Sequence, residues 1–143
     1  YQTTIANETF EANSSNGARY EHSLNDFSAE NMIKCLPGPM PMWRKSVHEK
    51  CGNFNEEMSY AGDWDMFLRM VEAGIKFKKI DTPLGLYYYN EDGLSTSKDH
   101  IGPRGKEEAS VFFKYKDVFG QANFNRYQNY FSQFIGDTHE QSA

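Results

Sequence analysis

The chain has 143 residues, of which 15 are Lys or Arg and 20 are Asp or Glu, so its formal net charge is −5. It contains no run of basic residues, and this acidic balance argues against binding to nucleic acid or to an anionic membrane surface. A hydrophobic content of 38% and an aromatic content of 15% are sufficient for a packed core.

Other features of the sequence indicate its cellular setting. No apolar stretch approaches the roughly 18 to 20 residues that span a bilayer, and the polar start at Tyr1 is unlike a signal peptide. Cys35 and Cys51 fit neither a disulfide framework nor a zinc pattern, which favours free thiols in a reducing compartment. We therefore expect a cytoplasmic location. Because the chain does not begin with Met, we also expect it to be part of a longer protein.

The first part of the chain predicts loops and short helices. Residues 1–27 are polar and turn-rich, with weak strand character at most. Ser28 is a suitable N-cap for a short helix that extends to about residue 35. Residues 37–41 contain three prolines and predict a shaped loop. A second helix is predicted at about residues 44–51, and Gly52 supplies its left-handed C-terminal stop.

The third predicted helix has the clearest pattern. A loop at residues 53–61 precedes it, Asp63 is its expected N-cap, and Gly74 ends it. Its apolar side chains recur at the i, i+3, i+4 and i+7 spacing of one helix face. These side chains are Trp64, Phe67, Leu68 and Val71.

The sequence predicts two short strands after this helix, at residues 75–80 and 84–89. The composition of residues 90–106, rich in Gly, Ser and Asp, predicts a long and mobile loop. The fold class that follows is α/β with an α+β-like character: several helices and a few short strands.

Two helices are predicted to close the chain, at about residues 107–119 and 123–135, and residues 136–143 are expected to fray. The second helix carries an aromatic face, which predicts packing within the module or against a neighbouring domain. This face consists of Phe124, Tyr127, Phe131 and Phe134.

The chemistry of the chain centres on the acidic pair Asp63 and Asp65. Paired carboxylates in a D-x-D spelling are able to hold a divalent cation, but side chains two residues apart on a helix diverge by roughly 200°. No metal ligand is therefore predicted here. A single carboxylate at the start of a helix suits either a general base for a sugar hydroxyl or a simple helix cap, and both interpretations stay open on local evidence.

Three neighbouring stretches carry a family resemblance. Residues 37–57 read P-G-P-M-P-M-W-R-K-S-V-H-E-K-C-G-N-F-N-E-E, residues 61–69 read A-G-D-W-D-M-F-L-R, and residues 74–77 read G-I-K-F. Their order and spacing closely resemble the family 2 inverting glycosyltransferases over about residues 36–97. This resemblance implies a GT-A type nucleotide-sugar-binding fold, of which the chain would be the C-terminal part.

The resemblance also implies roles for individual residues. Asp63 matches the catalytic base of that family, which takes the proton of an acceptor hydroxyl in a single inverting displacement. Gly62 stands where the family often has Glu, so any help from a second carboxylate would come from Asp65 or Glu57. Asn90 stands where some relatives have a metal-proximal His, and its amide is a poorer ligand.

The remaining predicted contacts come from two loops. Acceptor or donor contacts are expected from the Gly-Pro loop and the helix start after it, and from the residues that flank the base. A flexible segment over the donor is expected in the 90–106 loop. The expected contact residues are Gly38, Pro39, Trp43, Arg44, Gly62 and Asp65, and those of the flexible loop are Gly93, Ser95 and Ser97.

The resemblance predicts a division of the chain and a missing partner half. Residues 1–106 would form the acceptor-side half of the transferase module, and residues 107–143 an aromatic-rich helical extension. The donor half, with the D-x-D that binds Mn or Mg, would lie outside the chain. The expected partners are a nucleotide-sugar donor and a glycan or lipid-linked acceptor, in the cytoplasm or at the inner face of the membrane, and the surface left exposed favours self-association.

Two other functions fit the same sequence. The aromatic, Asn and Asp content suits a non-catalytic carbohydrate-binding module, and the closing aromatic helices suit a structural or docking module. Nothing in these residues specifies the donor nucleotide, the donor sugar or the acceptor.

Overall fold

The computed structural model describes residues 1–15 and 26–136. In these two stretches the chain forms five α-helices, two short parallel strands and two 3₁₀ turns. The chain is therefore a mixed protein of helices and short strands, as predicted at that level. Residues 137–143, which are expected to fray, lie outside the described residues, as do residues 16–25 of the turn-rich start.

The two strands come from distant parts of the sequence. Strand β1 (Gln2–Thr4) pairs in parallel with β2 (Leu86–Tyr88). The Gln2 N–H donates to the Gly85 carbonyl at 3.0 Å, and the Tyr89 N–H donates to the Thr4 carbonyl at 2.8 Å. Strand β2 confirms the predicted strand at residues 84–89 in a shorter form. Helix α1 (Phe10–Ser15) follows β1.

The predicted strand at residues 75–80 is wrong. Ile75 and Phe77 pack against the core and Lys76 and Lys78 are exposed, so the side chains do alternate. No strand in the described part of the chain pairs with this segment, however. The side chains alternate because one side of this irregular connection packs against the core and the other side faces solvent.

The segments before the third helix are shorter than predicted. A 3₁₀ turn occupies Glu30–Lys34, and its N-cap is Ala29 and not Ser28 as predicted. The Ser28 hydroxyl lies one position earlier and still accepts the Asn31 N–H of this turn, at 3.1 Å. Helix α2 spans Val47–Cys51 and thus begins three residues later than predicted. It ends as predicted at Gly52, whose φ of 76° requires glycine, although its ψ of −172° is not that of a left-handed helix.

Helix α3 (Gly62–Glu72) confirms the third predicted helix. Asp63 is not its N-cap, however: Ala61 occupies that position, and the Asp63 Oδ1 atom accepts the N–H of the adjacent Trp64 at 2.7 Å. The C-terminal prediction is right. Gly74 has φ of 73°, and the N–H of Ile75 reaches back to the Met70 carbonyl at 2.9 Å, as in a Schellman motif.

The predicted loop at residues 90–106 is wrong in its last six residues. A 3₁₀ turn at Lys98–His100 leads directly into helix α4 (Ile101–Lys114). Pro103 lies in the first turn of this helix, where the missing N–H costs no hydrogen bond. Gly105 is buried against Phe134, and a Cβ atom at this position would lie 2.3 Å from that ring.

Helix α5 (Lys116–Ser132) closes the described structure and is interrupted at Gly120, where φ is 75°. It packs against α4, α3 and the 3₁₀ turn at residues 30–34. Phe131 is buried, and the other aromatic residues of the predicted face pack against the same core, which confirms their packing role. The core therefore takes residues from both sides of position 106, and the division into two units stays a prediction.

Phe112 of α4 lies at the centre of a stack of aromatic rings. Its centroid is 4.3 Å from that of Phe131, 5.6 Å from that of Phe124 and 5.8 Å from that of Phe119. Trp64 of α3 extends the stack, with its ring 5.7 Å from Phe119, and its indole N–H donates to the Met32 carbonyl at 2.7 Å. This stack fixes α3 to the two closing helices.

Candidate functional site

Asp63 lies on the first turn of α3 with its side chain exposed to solvent. Its negative charge acts on two half-buried groups of other elements. Burial raises the pKa of the Cys35 thiol to about 12, and the charges of Asp63 and Glu108 add to this rise. The Asp63 charge is thus close enough to act on both Cys35, at the end of the 3₁₀ turn, and Glu108 of helix α4.

Glu108 of α4 is a second carboxylate, and its charge interacts with that of Asp63. Its burial raises its pKa above the ordinary value, and the charge of Asp63 acts in the same direction. Arg104, one turn earlier, acts in the opposite direction, with its Nε atom 3.7 Å from the Glu108 carboxylate. Asp63 therefore shares its surroundings with one carboxyl that holds a proton more tightly than usual.

Asp65, the other half of the acidic pair, has a different environment. Its side chain is 2% exposed and accepts three hydrogen bonds. The Arg69 Nε–H, the Lys114 ammonium and the Tyr115 hydroxyl each donate to it at 2.9 Å. Burial alone would raise the Asp65 pKa, but these donors outweigh it and hold the pKa below 3.8. Both Asp65 oxygens are therefore occupied within the protein.

Arg69 connects Asp65 to the loop after α2. Its NH1 group donates to the Cys51 carbonyl, and its NH2 group donates to the Asn53 carbonyl at 2.8 Å. The guanidinium group thus cross-links α3 to the C-terminal end of α2. Arg69, the last residue of the 61–69 stretch, therefore has a structural role.

Glu107 lies next to this site and is another residue that the sequence did not indicate. Its carboxylate accepts the N–H groups of Ser59, Tyr60 and Ala61 at 2.9, 2.7 and 2.9 Å. Partial burial would raise its pKa, but the three donors outweigh this effect and lower the pKa below 4.5. These partners are 46 to 48 positions away in the sequence, so no local pattern reveals the contact.

The predicted contact residues of the Gly-Pro loop lie in a different environment from Asp63. Gly38 has φ of 65° and Pro39 and Arg44 are exposed. The Trp43 ring packs edge-on against Phe67 of α3 at 6.0 Å, and its indole N–H donates to His48 at 3.1 Å. Among the described residues, none of these four has a hydrogen bond or ion pair with Asp63.

The predicted flexible loop makes local hydrogen bonds. The Gly93 carbonyl accepts the Ser97 N–H at 2.9 Å, the Ser97 hydroxyl accepts the Asp99 N–H at 3.3 Å, and the Ser95 carbonyl accepts from Arg104. At its end, the Tyr60 hydroxyl lies 3.0 Å from Nδ1 of His100. The end of this loop thus contacts the segment before α3.

In residues 1–15 and 26–136, no three His, Cys, Asp or Glu side chains are grouped as a metal site requires. A groove of about 570 Å³ lies between the start of α4 and the end of α5, and Asp63 is not part of its lining. Among the helices of these same stretches, none is long and apolar enough to cross a membrane.

No protein-family model, no curated protein and no solved structure matches this chain. The resemblance to family 2 glycosyltransferases therefore rests on the motifs of residues 36–97 alone.

Proposed function

We propose that this chain is the acceptor-side part of an inverting glycosyltransferase, with Asp63 as its catalytic base. The observation that carries the proposal is the contrast between the two acidic residues of α3. Asp65 is buried and accepts hydrogen bonds from three donors. Asp63 is exposed at the start of the same helix and, within residues 1–15 and 26–136, accepts only the N–H of Trp64. One carboxylate is thus committed to structure and the other is accessible to a substrate.

In the proposed reaction, Asp63 accepts the proton of an acceptor hydroxyl while that oxygen attacks the anomeric carbon of the donor sugar. The new carbon–oxygen bond forms on one face as the bond to the nucleoside diphosphate breaks on the other, which inverts the configuration. The base has to be ionised beforehand. Glu108, whose pKa is raised by burial and by Asp63, takes up a proton more readily than an ordinary Glu.

A divalent metal, Mn or Mg, would neutralise the diphosphate in the complete enzyme. The described residues of this chain do not suit such an ion, because both Asp65 oxygens are occupied and carboxylates at i and i+2 of a helix diverge. We propose that the metal is held by the donor-binding half. No step assigned to this chain depends on it.

The first experiment is a calorimetric titration of this chain with nucleotide-sugars, with and without Mn²⁺. We expect no binding, because the proposed donor site lies in the other half. Metal-dependent binding by the chain alone would contradict the assignment of Asp63 as a base and favour a donor site around residues 63–65 or 90–106.

The second experiment measures sugar transfer by the full-length protein that contains this chain. Asp63→Asn should lower kcat by about 10²- to 10⁴-fold, the usual contribution of a general base. Asp117→Asn is the matched control, because Asp117 is likewise exposed in the first turn of a helix, α5. If Asp63→Asn keeps the wild-type rate, Asp63 is not the base.

A docking function is the second candidate, and the exposed apolar side chains of β2 and of the segment before it favour it. Large apolar side chains are exposed there, with Leu84 72%, Ile80 63% and Tyr88 58% accessible. Exposed apolar patches commonly mark sites of association. Light scattering should show self-association that Leu84→Asp reduces, with Leu94→Asp as a control at a second exposed Leu. A monodisperse monomer at all concentrations would contradict this second candidate.

A further inference from the structure

The segment that leads into α3 is held by a single side chain from another helix. Oε1 of Glu107 accepts the Ser59 N–H, and Oε2 accepts the N–H groups of Tyr60 and Ala61. A carboxylate has enough lone pairs to accept all three bonds at once. Hydrogen bonds to an ionised acceptor are also roughly twice as strong as neutral ones.

The anchor lies on the rigid part of the molecule. Glu107 is on α4, where Ala109, Val111 and Phe112 are fully buried in the core. On the other side, Ala61 is the N-cap of α3, so Asp63 follows the anchored segment after a single residue. A negative charge beside the first turn also interacts favourably with the helix dipole.

We propose that Glu107 is a positioning residue that fixes the first turn of α3 and thereby the direction of the Asp63 carboxylate. This inference rests on the proposed function of Asp63 and adds a residue to it. Displacement of a catalytic group by about 1 Å is enough to cost up to about 10²-fold in rate. Glu107 touches no substrate in this scheme and acts only through the backbone of residues 59–61.

The first test uses this chain and needs no activity. Glu107→Gln keeps the size of the side chain, but its NH₂ group has to face at least one backbone N–H, so part of the anchor is lost. Amide hydrogen exchange should become at least about 10-fold faster at the amides that face the NH₂ group, which are Ser59 alone or Tyr60 and Ala61 together. Glu56→Gln is the control, because it removes the same charge from an exposed position in the preceding loop.

Far-UV circular dichroism shows whether each variant keeps its helices, and Glu107→Asp is a second variant in case Glu107→Gln does not fold. The Asp side chain is one methylene shorter and should release all three amides. Unchanged exchange at these amides in a folded Glu107 variant would overturn the inference.

The second test measures kcat and KM in the full-length protein. Glu107→Gln should lower kcat about 10-fold and leave the donor KM unchanged, because the base and not the donor site is displaced. An unchanged kcat in a protein that does respond to Asp63→Asn would overturn the positioning role. If Asp63→Asn itself has no effect, the proposed function fails, and the exchange experiment still decides whether Glu107 holds the turn.

Discussion

Replacement of Asp65 by Asn should destabilise the protein without any catalytic explanation. The Asp65 carboxylate is 2% exposed and accepts from three donors, which are Arg69 of α3, Lys114 at the end of α4 and Tyr115 after it. An Asn carbonyl is able to keep the bonds from Lys114 and Tyr115. Its NH₂ group would then face the Arg69 Nε–H, so that two donors oppose each other.

The size of the effect follows from the exposure of the partners. Removal of one partner from a fully buried ion pair costs about 3 to 5 kcal/mol. Here the Lys114 and Arg69 side chains are 56% and 22% exposed, so both cations regain water when the carboxylate is lost. The loss should therefore fall below that range, at about 2 to 3 kcal/mol, near the value of one or two charged hydrogen bonds.

Urea unfolding monitored by circular dichroism measures this loss of unfolding free energy. The dependence of the loss on pH provides a second test. Because the Asp65 pKa is lowered in the folded state, the folded protein binds fewer protons at this site than the unfolded chain. The ionised Asp65 stabilises the folded protein fully when the pH is above the pKa that this residue has in the unfolded chain. This stabilisation is lost as the pH falls through the lower pKa of the folded state. The difference in unfolding free energy between wild type and Asp65→Asn should be constant near neutral pH and should decrease below about pH 4.

Asp63→Asn is the matched control, on the same helix two residues earlier. It is exposed, and its hydrogen bond to the Trp64 N–H survives in the amide. Its unfolding free energy should lie within about 0.5 kcal/mol of wild type. A loss below about 1 kcal/mol for Asp65→Asn, or equal losses for both variants, would refute the division of roles between the two carboxylates.

The remaining predictions concern two glycines of α4 and the Cys35 thiol. Gly105→Ala should lower the unfolding free energy by about 1 to 3 kcal/mol, because its Cβ would lie 2.3 Å from the Phe134 ring. Gly102→Ala, in open space on the same helix, should instead raise it by about 0.5 to 1 kcal/mol; thermal melts that rank the two alike would contradict this. Cys35, with a pKa of about 12 against an ordinary 9.0, should react with iodoacetamide about 10³-fold more slowly in the folded protein than in urea at pH 8. Equal labelling by mass spectrometry would show that the thiol is not shielded.

Helix α3 and its end were predictable because both depend on neighbouring residues. The spacing of Trp64, Phe67 and Leu68 specifies a buried helix face, and all three are buried. Gly74 has the positive φ that a Schellman motif requires. The same holds for Gly52, whose positive φ ends α2. Ser28 was misplaced by one position as an N-cap, although its hydroxyl bonds to the nearby Asn31 N–H.

The start of α4 was not predictable, because distant contacts override its local composition. Gly102, Pro103 and Gly105 together indicate a loop. Pro103 is nevertheless tolerated in a first turn, and Gly105 is required by the Phe134 ring from α5. For residues 75–80 the local pattern predicted a regular element where the structure has none. Alternating side chains form a strand only where another strand is available to pair, and none of the described strands pairs with this segment.

The place of Asp63 in the first turn of α3 was predictable, but the contacts around that turn were not. The sequence indicated Asp63 and the divergence of Asp65 from it. It did not indicate that Asp65 binds Lys114 and Tyr115, about fifty positions away, or that Glu107 holds the turn before α3. These contacts depend on how α4 packs on α3, which no local pattern contains.

The aromatic stack around Phe112 has a consequence for how this protein is able to change in evolution. Because Phe131, Phe124 and Phe119 all lie within 5.8 Å of the same ring, a substitution at one of them alters the space available to the others. Energetic effects of contacting residues are not additive. Accepted changes in this stack should therefore occur as compensating sets, so that homologues differ there at several positions together or at none.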